Sequence, residues 1–170
     1  APRTISATGG RYVSGDNAET PDTLEVAYEY QKGDDRFVLV WSQTDASDHG
    51  FDGKSSGVMF QGTEATLVTN YTHHEIFPVK GKTIADPPMT LPRSVGHHRE
   101  WLDAIRTRAS CSCNFEYGHR LSTVGELGNI SLWTGEKLAW DPAAERITNH
   151  VETNQFLTKE YRKPWVLPTI

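Results

Sequence analysis

The hydrophobic period of this chain changes once, near its middle, and that change limits the architecture more than any other feature. In the first half apolar side chains recur every second residue. From residue 94 onward they recur every third or fourth. Residues 22–30 alternate cleanly, with Leu24, Val26, Tyr28 and Tyr30 on one side and Glu25, Ala27 and Glu29 on the other. Gly33-Asp34-Asp35 marks a turn, and residues 36–42 return as the second arm of a hairpin. In that arm Phe37, Leu39 and Trp41 oppose Val38 and Val40, so both sides are apolar. This predicts a central strand covered on both faces. Residues 5–13 read as a further strand, in which Gly9-Gly10 predicts a bulge. Two more strands, over 57–61 and 65–70, flank Gly62-Thr63-Glu64, and another runs over 74–79. Pro87, Pro88 and Pro92 make residues 81–93 a connector.

In the second half Val95, His98, Leu102 and Ile105 predict a helix over 94–106 with His98 turned to the core. Leu121, Val124, Leu127 and Ile130 predict a second helix over 120–134, opened by His119 and Arg120 and stopped by Gly135. Gly125 and Gly128 inside it cost about 1 kcal/mol each against alanine, so they imply close packing. Short extended pieces follow at 137–140 and 146–148, then a last helix over 151–160. Strands first and helices afterwards is the α+β pattern: an open, mainly antiparallel sheet of five or six strands with helices packed on one face. The other face, carrying Trp41, Tyr28 and Tyr30, then requires cover. A second subunit is the expected one, giving a homo-oligomer through the sheet face.

Length and charge narrow the function. The 170 residues suit one domain, read as spanning 1–170. The net charge is −5, and Arg99, Arg106 and Arg108 alternate with Glu100 and Asp103 as on a solvated helix face, which argues against a nucleic-acid partner. No stretch reaches the roughly 20 apolar residues of a membrane span. Cys111 and Cys113 are too close for an unstrained disulfide and read as reduced thiols, which favours a reducing, cytoplasmic compartment. The chain opens Ala1-Pro2-Arg3 and enters strand-like sequence at once, so it is expected to be a piece truncated on its N-terminal side.

The motifs are more specific than the composition. The stretch His97-His98-Arg99-Glu100-Trp101-Leu102-Asp103-Ala104-Ile105-Arg106-Thr107-Arg108 resembles a segment common in bacterial Gfo/Idh/MocA oxidoreductases. At the usual spacing come Glu116-Tyr117-Gly118-His119-Arg120, Leu127-Gly128-Asn129-Ile130, and Gly135-Glu136-Lys137-Leu138-Ala139-Trp140-Asp141-Pro142. The tail Tyr161-Arg162-Lys163-Pro164-Trp165, and earlier Glu19-Thr20-Pro21-Asp22-Thr23 and Gly62-Thr63-Glu64, complete a resemblance that covers nearly the whole chain. It implies the C-terminal domain of such an enzyme, with a fold like that of dihydrodipicolinate reductase's C-terminal domain. The parent would be an NAD- or NADP-dependent dehydrogenase of a sugar or polyol, with a Rossmann domain preceding this one.

What the resemblance leaves unmatched matters equally. There is no G-x-G-x-x-G, no Glu-Lys-Pro and no D-x-G-x-H; Lys163-Pro164 follows Arg162, and Asp48-His49-Gly50 lacks the spacing. The chain by itself is therefore expected to carry no catalytic residue, to bind no cofactor and to transfer no hydride. Its expected role is the substrate-binding and oligomerisation portion of the enzyme. The competing reading is a stand-alone binding or assembly module with the same fold. The polar loop after the apolar arm, with Gln43, Thr44, Asp48 and His49, is the expected substrate-facing element, and His119 is a further hydroxyl-binding candidate. Neighbouring histidines such as His73-His74 or His97-His98 do not converge on one ion, so no metal site is expected.

Overall fold

A computed structural model describes residues 1–166 apart from Asp48, Asp52 and Asp86. The chain forms two compact units. One comprises Ala1–Asp45 together with the chain from Cys113 onward; the other is Ala46–Ser112.

The first unit is built on an antiparallel five-stranded sheet in the order β3-β2-β1-β7-β8. Its strands are β1 (Thr4–Gly10), β2 (Thr23–Lys32), β3 (Asp35–Thr44), β7 (Leu138–Asp141) and β8 (Arg146–Ile147). The β2–β3 hairpin closes through Gly33-Asp34, with Gly33 at φ 61° supplying the left-handed residue such a tight turn needs. The two glycines of β1 do not form a bulge. The ladder runs unbroken through Gly9↔Leu24 and Gly10↔Thr23. Gly9 serves close approach instead: a Cβ there would stand 2.2 Å from the Thr23 carbonyl oxygen.

Helix α2 (Phe115–Thr134) packs on β1, and its Gly128 reaches the Val26 and Tyr28 side chains of β2. It starts five residues before the predicted position, where the Asn114 side chain caps it by accepting from the Tyr117 N–H at 2.9 Å. His119 is thus in its second turn. Gly135, at φ 70°, ends it and donates to the Ser131 carbonyl, as the sequence predicts. Leu127 and Ile130 bury against Ile5, Leu24, Val26, Tyr28, Leu138, Trp140 and Ile147 to make the core. Each fully buried side chain of this kind contributes about 1.5–3 kcal/mol. The Ser131 hydroxyl pins the layers together, accepting from the Ala7 N–H at 3.0 Å and donating to the Glu136 carbonyl at 2.7 Å. A 3₁₀ helix, Val151–Leu157, replaces the predicted last α-helix and packs on β8. Asn154 holds it there through the backbone N–H and C=O of Ile147.

The register settles which face is which. Trp41 pairs with Val26, Leu39 with Tyr28 and Phe37 with Tyr30, so all the aromatic residues of the hairpin lie on the helix side. The opposite face carries the charged residues, which bond to their neighbours, with Val38 and Val40 exposed beside them: Thr4 and Lys137 both donate to Glu29, and Ser42 donates to Glu25. The face expected to need a partner is therefore partly covered by α2, with Tyr28 only 3% exposed. β3 also departs from expectation. It is an edge strand, and Phe37, Val38, Leu39, Val40 and Trp41 are all exposed. An apolar pattern on both sides reports that a strand is suited to cover, but not whether its own chain supplies it.

The second unit carries a three-stranded antiparallel sheet, β4 (Val58–Gln61), β5 (Ala65–Thr69) and β6 (His74–Pro78), with β5 central. It also carries α1 (His97–Thr107). Glu100 braces the start of α1 and the chain after it, accepting from the Ser94 hydroxyl and from the Ser112 N–H at 3.1 Å. No residue of α1 is buried; His98, expected in the core, is exposed together with Trp101, Leu102 and Ile105. Both units are strand-and-helix structures with antiparallel sheets, so the α+β assignment holds.

The two internal glycines of α2 separate in their roles. At Gly128 a Cβ would stand 2.5 Å from the Tyr28 hydroxyl and 3.3 Å from Val26 Cγ2, whereas at Gly125 it would meet nothing within 4 Å. Gly128→Ala is expected to lose about 1–3 kcal/mol through overpacking. Gly125→Ala is expected to gain up to about 1 kcal/mol from helix propensity. Urea unfolding midpoints at constant m-value read both.

Candidate substrate-facing elements

At one end of the first unit's sheet, the β1–β2 loop and the end of β3 are tied together by Asp22. This residue is buried, at 4% exposure. Its carboxylate accepts from the backbone N–H groups of Tyr12 (3.0 Å), Val13 (2.9 Å) and Ser14 (2.7 Å), and from the Thr23 hydroxyl (3.1 Å). Its own carbonyl accepts from the Asp45 N–H at 3.0 Å. Hydrogen bonds to the charged form, those from Tyr12, Ser14 and Val13 above all, hold this carboxyl well below the usual carboxylate range. Asp16, bonded to the Ala18 N–H, the Ser14 hydroxyl and Arg11, is lowered to about 2 and braces the same loop. In the sequence Asp22 reads as an ordinary turn or cap residue. Its role depends on three amides that lie eight to ten residues earlier in the chain.

Gln43 and Thr44 sit at this end. Gln43 is half-buried opposite Leu24, and Thr44 is opposite Thr23. His119 lies elsewhere. It is exposed on α2, with Nε2 2.8 Å from Glu145 Oε1 in the β7–β8 loop. Glu145 holds a left-handed backbone at φ 46°, a cost of roughly 1–2 kcal/mol for a residue with a Cβ. Strand order puts β3 and β8 at opposite edges, and register puts residue 43 and the β7–β8 loop at opposite ends. At about 4.8 Å per strand the separation across the sheet alone is on the order of 20 Å. One monosaccharide does not span it.

The rest of the expected loop belongs to the second unit. His49 is exposed in a turn and donates its N–H to the Ser47 hydroxyl at 3.1 Å. Asp48 lies outside the described residues. Beyond the turn, Phe51 and Lys54 bridge to each other and line a shallow cleft with Thr69, Asn70, His73 and Glu75 of the β5–β6 region. Among the described residues, no three His, Cys, Asp or Glu side chains gather in a way that could hold a metal ion. No described helix is long and apolar enough to cross a membrane.

Compared with known protein families, residues 11–167 match the oxidoreductase family, C-terminal alpha/beta domain, of the Gfo/Idh/MocA type. The chain belongs to this family, as the C-terminal domain of its oxidoreductases. No curated protein and no solved structure gave a significant match.

The depressed carboxyl of Asp22 has a pH signature. A carboxyl lowered in the folded state stabilises at neutral pH, and that stability disappears as pH falls below the unfolded value of about 4 and toward the folded one. Asp22→Asn is expected to melt lower than the parent at pH 7, and to lose less further stability between about pH 4 and pH 2. Thermal melts across that range measure it.

Proposed function

We propose that this chain is the substrate-binding and oligomerisation portion of an NAD(P)-dependent dehydrogenase acting on a sugar or polyol, and that it performs no hydride transfer alone. The observation that carries the reading is the family match over residues 11–167, in a chain whose sequence holds no G-x-G-x-x-G fingerprint. Hydride transfer needs a protein surface that holds the nicotinamide against the substrate carbon. A nucleotide-binding domain joined ahead of this one supplies it, and NAD or NADP is bound there.

Within this division of labour the candidates for substrate contact are Gln43 and Thr44 at the end of β3 in the first unit and, in the sequence that follows, His49 of the second unit and Asp48, which lies outside the described residues. Amide, hydroxyl, carboxylate and imidazole groups suit the alternating donors and acceptors of a polyhydroxylated ligand. Asp22 is a positioning residue at the β3 end, because its carbonyl fixes Asp45 directly after Thr44. His119, bonded to Glu145 at a distant corner, ties α2 to the β7–β8 loop and makes a weaker substrate candidate.

Two measurements test this. Calorimetric titration of NAD and NADP into the isolated chain is expected to show no stoichiometric binding; tight binding, or turnover of any polyol by this chain alone, overturns the reading. With the nucleotide-binding domain joined ahead of it, Gln43→Ala and His49→Ala are each expected to raise KM for the sugar about tenfold with kcat within about twofold. His119→Ala is expected to leave both constants near the parent values.

A further inference from the structure

Three successive backbone N–H groups, those of Tyr12, Val13 and Ser14, converge on one point beside the β1–β2 loop. Consecutive amides turned toward one point make a concavity of partial positive charge, and such nests bind carboxylates and phosphates. Here the occupant comes from the chain itself. Oδ2 of Asp22 accepts from Tyr12 at 3.2 Å, Val13 at 2.9 Å and Ser14 at 2.7 Å. Oδ1 accepts from Tyr12 at 3.0 Å and from the Thr23 hydroxyl at 3.1 Å. Among the described residues every partner of this carboxylate is a neutral donor. Arg11, beside the nest in sequence, directs its guanidinium to Asp16 and to the Ser14 carbonyl instead.

Two features separate this arrangement from an ordinary turn. The donors stand eight to ten residues before the acceptor, so the contact closes a whole loop. The acceptor and Pro21 before it are buried, so water does not take over the amides. Asp22 also joins the nest to three strand ends. Its carbonyl accepts from the Asp45 N–H, and the adjacent Thr23 pairs with Gly10 of β1 and Thr44 of β3. All of these residues belong to the first unit.

We propose that Tyr12, Val13 and Ser14 form an anion-binding nest whose tethered ligand is Asp22, and that a carboxylate in the nest sets the end of β3 carrying Gln43 and Thr44. The ligand class is a small carboxylate, whose two oxygens in one plane reach all three amides and the Thr23 hydroxyl. Tethering makes the binding intramolecular, so the parent nest stays filled and free anions do not compete. Asp22→Gly removes the tether and empties the nest while keeping its donors. Formate then replaces the lost carboxylate. Acetate carries a methyl group that collides with the glycine Cα, so it binds more weakly.

The nest stands independently of the substrate contact proposed above; its coupling to β3 rests on that reading. Thermal melts of the whole chain are compared in about 200 mM formate, acetate or chloride at equal ionic strength. Asp22→Gly is expected to melt about 3–5 °C higher in formate than in chloride, with acetate between them. Parent and Asp22→Asn, whose nests are filled, are expected to show no such difference. If Asp22→Gly is unfolded in chloride, formate is expected to refold it by circular dichroism. A chloride effect equal to that of formate, an equal formate effect on the parent, or failure to refold overturns the nest. With the nucleotide-binding domain joined ahead, Asp22→Gly is expected to raise KM for the sugar about tenfold at near-parent kcat, and formate to bring KM back within about threefold. If formate restores melting but not KM, while Gln43→Ala does raise KM, the coupling to β3 is overturned. If neither variant moves KM, the substrate contact at the β3 end falls with the coupling, and the nest remains.

Discussion

Helix α2 reaches the sheet at Gly128, where the missing side chain admits the Tyr28 hydroxyl and the methyls of Val26. Leu127 and Ile130 flank that point, and Ser131 adds one hydrogen bond to β1 and another to the chain just after the helix. Everything else in the first unit follows from this contact. It decides which face of the hairpin is dry, it pushes the Tyr28 phenol up to about 12 by burial, and it leaves the opposite face to Glu25, Glu29 and their partners. A helix held farther away by even one methyl group would leave the core short of its closest packing.

Where that contact ends explains the rest. α2 packs on β1 and reaches Val26 and Tyr28 of β2, but does not bury β3. The apolar face of the sheet is therefore wider than the helix that roofs it. The remainder of that face lies on β3, as Phe37, Leu39 and Trp41.

Much of this was legible in the sequence, because the signals were local. The alternation in 22–30, the turn at Gly33, the pairs of strands around Gly62 and the glycine stop at 135 all depend on neighbours within a few positions, and the structure has each of them. The α+β class followed from the single change of period. What failed depended on distant chain. Nothing near β3 reveals that it lies at an edge, since an apolar strand looks alike in either place. Gly9-Gly10 carried the mark of a bulge, but the carbonyl it accommodates lies across the ladder at Thr23. The start of α2 escaped because Phe115 to His119 has no apolar period, although Asn114 was an available capping signal. Gln43 was the first candidate for a sugar hydroxyl and His119 a further one; only strand order and register show that they stand at opposite corners.

Asp22 clasps three successive amides at the root of the β1–β2 loop, while Arg11 and Asp16 brace the stretch just beyond. The strands on either side are thereby insulated from whatever happens farther out, around residues 17–20. Exchanges or added residues there leave the ladder untouched, so the turn is a place where this fold can acquire new recognition without renegotiating its core.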